Sequence, residues 1–285
     1  MANMSLELGR FGLWLGGRQD DDRRAGYAVE AESLGYGTVW FGFGSEKVED
    51  LALVDRVLDA TTTITVATGI VNMWPNDAAA IARSYHRIRE RHGDRLLLGV
   101  GVGHPEIVQT YQKPYDKMVE YLDQLDEGGV PRDRLVLAAL GPRVLKLAAD
   151  RTAGAHPYLT VPDHTRDARR ILGPNAILAP EQKVVLETDA ATARAIGRAA
   201  VQNPYLHLTN YVSNLLRHSF TEADIANGGS DRLVDALSRH GTAETIAAGL
   251  TAHLDAGADH VAIQVLAADA NPMPGLRALA PVLLR

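Results

Sequence analysis

With 285 residues, 46% of them hydrophobic and 22% charged, the chain is long enough for one large core and too apolar for disorder. A net charge of -6, with no Lys/Arg cluster interleaved with aromatics, argues against nucleic acid as a partner. The absence of cysteine excludes disulfides, thiolate metal sites and cysteine nucleophiles, no apolar run approaches the roughly 20 residues of a membrane span, and Met1 to Arg10 lacks a signal-peptide pattern, so a cytoplasmic protein away from the membrane is expected.

Short runs rich in Val, Ile, Leu and aromatics alternate with stretches of helical periodicity, the pattern of a parallel sheet covered by helices. The first run, Phe11–Leu15, leads to a helix opened by Asp20-Asp21-Asp22, whose charge suits the positive end of the helix dipole, and closed at Gly35. Runs at Thr38–Phe43 and Ile64–Ile70 follow, and a helix then starts after Asn76-Asp77 and ends near Arg91. The fourth run is Arg95–Gly101. Between Gly103 and Pro131 one helical segment, Pro114 to Glu127, crosses to the fifth run, Leu135–Ala139, after which Pro142 marks a first helical turn. Runs six to eight are Gly154–Tyr158, Gln182–Leu186 and His260–Val265, the last preceded by a helix flanked by Thr242 and Thr245 and stopped at Gly257. The rhythm breaks at Asn203 to Asp231, where Pro204, Asn-containing turns and Gly228-Gly229-Ser230 predict an excursion over the mouth of the fold. Eight strands predict a single (β/α)8 TIM barrel over residues 1–285, with that excursion inserted near 203–231.

In such a barrel the reacting groups project from the C-terminal strand ends. Strand three runs out through Thr68-Gly69-Ile70-Val71-Asn72-Met73-Trp74-Pro75, strand four through Gly99-Val100-Gly101-Val102-Gly103-His104, and strand five through Ala138-Ala139-Leu140-Gly141-Pro142. Small residues at three neighbouring ends allow a flat ring to lie on backbone, and the helix start after Gly141-Pro142 can receive a phosphate, although tight turning explains each glycine taken singly. His104 is the candidate catalytic acid or base at the mouth, or else a cap on the Pro105-Glu106 turn. Trp14 and Trp74 are candidate walls of a substrate pocket, or mouth packing. His86 and His92 share a helix with Arg83, Arg87, Arg89 and Arg91, which reads as a solvated face, and no metal site is expected. His207 and His218 fall in the excursion.

Five segments carry a family resemblance by their order and spacing: 34–40 (Leu34-Gly35-Tyr36-Gly37-Thr38-Val39-Trp40), 67–71 (Ala67-Thr68-Gly69-Ile70-Val71), 95–101, Ala139-Leu140-Gly141-Pro142 with Leu145 and Leu147-Ala148, and 254–259 (Leu254-Asp255-Ala256-Gly257-Ala258-Asp259). Over nearly its whole length the chain resembles the luciferase-like flavin and deazaflavin oxidoreductases, particularly the branch that uses coenzyme F420. The resemblance implies a bulged cis peptide at Gly69-Ile70 behind the deazaflavin ring, with Val102 and Gly103 at the ring's edge. It further implies that Ala139, Gly141 and Pro142 cradle the cofactor side chain and phosphate, with His156 and Tyr158 at the next strand end beside them. The implied activity is hydride transfer between F420 and a small organic substrate, with His104 moving the proton. One departure is that Phe41-Gly42-Phe43-Gly44-Ser45 stands where many relatives carry an Asp-His pair, and the stretch after strand four is also short. An FMN-dependent monooxygenase and a non-catalytic flavin or deazaflavin carrier therefore stay open as alternatives. Relatives are often dimers, so a homodimer is permitted.

Overall fold

The computed structural model describes residues 6–16, 20–103 and 113–284. Strands β1 (Phe11–Leu15), β2 (Thr38–Phe41) and β3 (Thr65–Thr68) pair in parallel; beyond Gly69-Ile70 the chain adds a short β4 (Val71–Asn72). Both β3 and β4 pair with β5 (Leu96–Gly101), which is followed by β6 (Leu135–Leu137) and β7 (Gly154–Ala155), again in parallel. The next segment holds β8 (Ile177–Leu178), paired with β7, and β9 (Glu181–Val185). It is also flanked by β10 (Ser238–His240) and β11 (Val261–Val265), and β11 returns to β1. The short link between β8 and β9 closes the ring. Ala179 N donates to Ala155 O and Glu181 N to Pro157 O on one side, while Ala262 N donates to Pro180 O on the other. The fold is thus the expected eight-stranded parallel barrel, with residues 177–185 acting as one strand.

All eight sequence runs become strands; the first keeps its bounds and most of the others are shorter. The seventh begins five residues earlier than its apolar pattern suggests, because Pro180 and the charged Glu181 interrupt the run. Strand β10 gave no sequence signal.

Helices α1 (Asp21–Ser33), α2 (Ala52–Ala60), α3 (Ala78–His92), α4 (Pro114–Glu127), α5 (Pro142–Arg151) and α6 (Pro162–Leu172) cover the first strands. The capping reasons are the expected ones: Asp20 accepts from Arg23 N, Asp77 accepts from Ala80 N, and Pro142 occupies the first turn of α5. After α7 (Ala190–Gln202) the excursion folds into a tight turn at Tyr205–His207, α8 (Thr209–Arg217) and α9 (Glu222–Ile225), and α10 (Asp231–Leu237) leads back to the barrel. It is a packed segment: Leu206, Leu208, Tyr211, Leu215 and Phe220 share a buried cluster with Leu159 and Val161, which follow β7. Helices α11 (Ala243–Asp255), capped by Thr242, and α12 (Met273–Leu283) complete the coat. No helix among the described residues is long and apolar enough to cross a membrane.

Strand alternation divides the side chains into two sets. Leu13, Val39, Val66, Leu98, Leu137 and Ile263 pack outward under the helices, whereas Trp14, Trp40, Ala67, Leu97, Val136, Ala179 and Ala262 cluster inside the ring. Register places Trp14 beside Trp40, Trp40 beside Ala67, and Ala67 beside Leu97. Large side chains on β1 and β2 therefore fill the space that small ones leave on β3.

Gly99 shows how little room this leaves. Its amide donates to Thr68 Oγ1 (2.8 Å), which donates to Gly99 O (2.7 Å), and a Cβ at this position would meet Thr68 O at 1.9 Å. Gly99→Ala is expected to destabilise the fold by about 3 kcal/mol, read as a lowered urea midpoint at unchanged slope; wild-type stability would contradict the packing.

Candidate cofactor site

The mouth is built from two unlike halves. Beyond Leu97 and Val136 the inward positions at the ends of β3 to β6 are small: Gly69, Gly99, Gly101 and Ala138. On the opposite strands they are large and polar: Trp14, Trp40, His156, Tyr158, Glu181, Lys183, His260 and Gln264.

The polar half is held by specific bonds. Trp40 Nε1 donates to His260 Nε2 (3.0 Å), whose Nδ1 donates to Gly9 O (2.8 Å). His156 stacks on Trp40, with centroids 4.1 Å apart and planes within 11°, and donates from Nδ1 to Ala179 O (2.7 Å). Its Nε2 is thereby left as an acceptor. Burial holds the His156 and His260 rings down to about 4 from their ordinary 6.5. Tyr158 donates to Gln264 Oε1 (2.9 Å) and its ring lies 5.3 Å from that of Trp14.

Trp14 Nε1 and His156 Nε2 are both buried without a partner, and a Cβ on Gly69 would meet each at 2.8 Å. Gly69 is therefore small because protein atoms occupy its inner side. The Gly69-Ile70 peptide is cis, as the resemblance implies, and Ile70 packs over Gly101. Val102 is buried beside it; Gly103 has a positive φ of 58°, and its missing side chain faces the Asn72 amide, which donates to Gly44 O.

The candidate residues fall into separate groups. Trp14, Gly69, His156 and Tyr158 lie together, with His156 and Tyr158 turned into the barrel at the end of β7, the strand paired with β6. Trp74 packs against the core beneath the helices and is separate from Trp14. Ala139, Gly141 and Pro142 lead into α5, which no side chain caps. His104 and Glu106 lie outside the described residues. His86 and His92 are not simply solvated, since His86 Nε2 lies 2.8 Å from Gly128 O and His92 Nε2 3.3 Å from Asp55 Oδ1.

Sequence reasoning pointed to the helix start at Gly141-Pro142 but missed the side chains of α6 and α8 that line a cleft beside it. This half-open cleft of about 370 Å³ is lined by Leu140, Pro142, His164, Asp167, Arg217 and His218, among others. His164 Nε2 donates to Leu140 O (2.9 Å), so its buried, unpartnered Nδ1 is an acceptor, and burial pushes the ring down to about 4. Arg217, on the last turn of α8, brings Nη2 to 3.9 Å from where a Cβ of Gly141 would stand. An uncapped helix start, a guanidinium and a neutral acceptor suit a phosphorylated polyol chain. A cofactor with such a tail fits here, whereas the barrel interior below is already filled.

The buried histidines set an acid limit. Between about 6.5 and 4 the unfolded chain binds protons that folded His156, His164 and His260 refuse, so these groups make stability fall as pH drops through that window. Nitrogen-resolved NMR should find His156 in the neutral Nδ1–H form at about pH 5; an imidazolium there would contradict the geometry.

Comparison with known proteins agrees with this architecture. The model of the family "Luciferase-like monooxygenase" matches residues 5–260. The chain is similar to a 5,10-methylenetetrahydromethanopterin reductase of Archaeoglobus fulgidus, 23% identical over 273 residues covering 77% of this chain and 82% of the relative. Among solved structures it is similar to an F420-dependent secondary alcohol dehydrogenase in complex with an F420-acetone adduct (TM-score 0.75, 14% identity, 96% and 97% of the two chains). It is also similar to the FMN-bound oxygenating constituent of 3,6-diketocamphane monooxygenase from Pseudomonas putida (TM-score 0.70, 13% identity, 96% of each). At these identities the structures speak for the fold alone. The family match spans most of the chain, and the protein belongs to the luciferase-like monooxygenase family.

Proposed function

We propose that this protein is an oxidoreductase that uses coenzyme F420 to move hydride to or from a small organic substrate at the barrel mouth. The observation that carries the reading is the cavity at the start of α5, where Pro142, Arg217 and the His164 acceptor converge. In this reading Gly141 and Arg217 hold the phosphate at the helix start that Pro142 opens and lines, and Ala139 lines the path of the side chain. The rim formed by Gly69, Ile70, Val102 and Gly103 supports the ring. Trp14 and Tyr158 close the barrel beneath, keeping water from that side. When bound, the deazaflavin supplies a two-electron hydride donor or acceptor. His104 is the proposed proton donor or acceptor.

The likeness to an F420-dependent secondary alcohol dehydrogenase and to a coenzyme F420-dependent tetrahydromethanopterin reductase supports F420. The likeness to an FMN-bound monooxygenase supports the second reading, an FMN-dependent monooxygenase of the same fold.

Titration of the apoprotein with F420, FMN and riboflavin separates these. F420 is expected to bind more tightly than FMN, and Arg217→Gln to weaken F420 by about ten- to a hundredfold, the usual worth of a charge-assisted hydrogen bond. Tighter binding of FMN would favour the monooxygenase. Binding without turnover across a broad substrate panel would favour a carrier, and failure of all three to bind would contradict the cofactor reading.

A further inference from the structure

Two charged side chains lie inside the barrel on β9. Glu181 and Lys183 are 0% and 1% exposed, and Lys183 Nζ lies 3.1 Å from Glu181 Oε1. Glu181 Oε2 accepts from Leu159 N (3.1 Å), so the carboxylate is held at both oxygens. Burial raises the Glu181 carboxyl and lowers the Lys183 ammonium, each partly restored by the other. Well-packed apolar residues of similar size would usually serve stability as well as such a pair or better, which points to a role beyond stability.

The surroundings of the ammonium indicate that role. Lys183 Nζ sits 3.9 Å from the ring centroid of Tyr158 and 5.5 Å from that of Tyr205, both within the range of cation–π attraction. Tyr158 belongs to the barrel and Tyr205 to the excursion. Tyr205 in turn meets Tyr211 edge to face at 5.0 Å, in the first turn of α8, whose last residue is Arg217. A line of contacts thus runs from the barrel interior through Lys183, Tyr205 and Tyr211 into the helix that carries Arg217 to the α5 cavity.

We propose that Lys183, fixed by Glu181, is a positioning residue that latches the excursion to the barrel and so sets where Arg217 stands. Tyr158 and Tyr205 also meet directly, with ring centroids 5.4 Å apart, and the charge of Lys183 adds an attraction to both faces.

Hydrogen exchange of the full chain tests this. In Lys183→Met combined with Glu181→Gln, which removes both charges at similar volume, protection of amides 205–217 should fall about three- to thirtyfold while amides in β1 to β3 keep theirs. Tyr205→Leu should give at least the same local loss, with little more when the variants are combined. Unchanged protection in the charge-free variant, or a loss spread evenly over the barrel, would overturn the latch. A second arm rests on the cofactor reading: F420 affinity should fall in the charge-free variant but no further when Arg217→Gln is added. If F420 fails to bind the unaltered protein, that reading fails, and the exchange measurement still decides the latch.

Discussion

The interior of an eight-stranded barrel has to be filled by the side chains that alternate inward, and in this protein the filling is unequal. Trp14, Trp40, His156 and Tyr158 enter from one side, and the opposite side answers with Ala67, Gly69, Gly99 and Gly101. Interiors are close-packed, so neither half can change alone. The glycines and the aromatics are one constraint seen from its two sides. The polar atoms brought inside obey the same rule. Trp40 needs His260, His260 needs Gly9 O, and Tyr158 needs Gln264, which ties residues far apart in sequence into one layer.

That layer decides what the mouth can hold. Trp14 and His156 fill the inner side of Gly69, so the place proposed for a planar cofactor is the rim above them and not the barrel interior. The space that can take an extended anionic tail lies to one side, between α5, α6 and the end of α8. The excursion supplies Arg217 and His218 to that cavity and packs its own apolar cluster on the segment after β7. The charged pair on β9 lies directly beneath its first turn.

Much of the fold was legible in the sequence, because strand runs and helix caps are local signals. Asp20, Asp77, Pro142 and Thr242 each act within three residues of where they stand. The order of segments around Gly69, Gly101 and Gly141 was enough to suggest the family and the cis peptide. The site was less legible. Sequence position put His156 at the strand end next to the α5 cradle but did not say that its ring turns inward onto Trp40 and Gly69, a one-residue matter that short runs do not resolve. The glycines suggested open space, whereas at Gly69 the space is taken by two side chains from distant strands. Glu181 was left outside its strand because a charge there breaks an apolar run, although with Lys183 two positions on it marks one inward face. Arg217 and His164 gave no signal at all, as 53 residues of chain separate partners that only the tertiary fold brings together.

The most direct measurement of this account is a crystal structure with coenzyme F420 bound. The account predicts the ring on the rim near Ile70 and Gly103, with Trp14, His156 and Tyr158 where they stand now, and the phosphate within hydrogen-bonding distance of Arg217 and the start of α5. A ring lodged inside the barrel in place of Trp14 or Tyr158, or a tail directed away from α5, would contradict it.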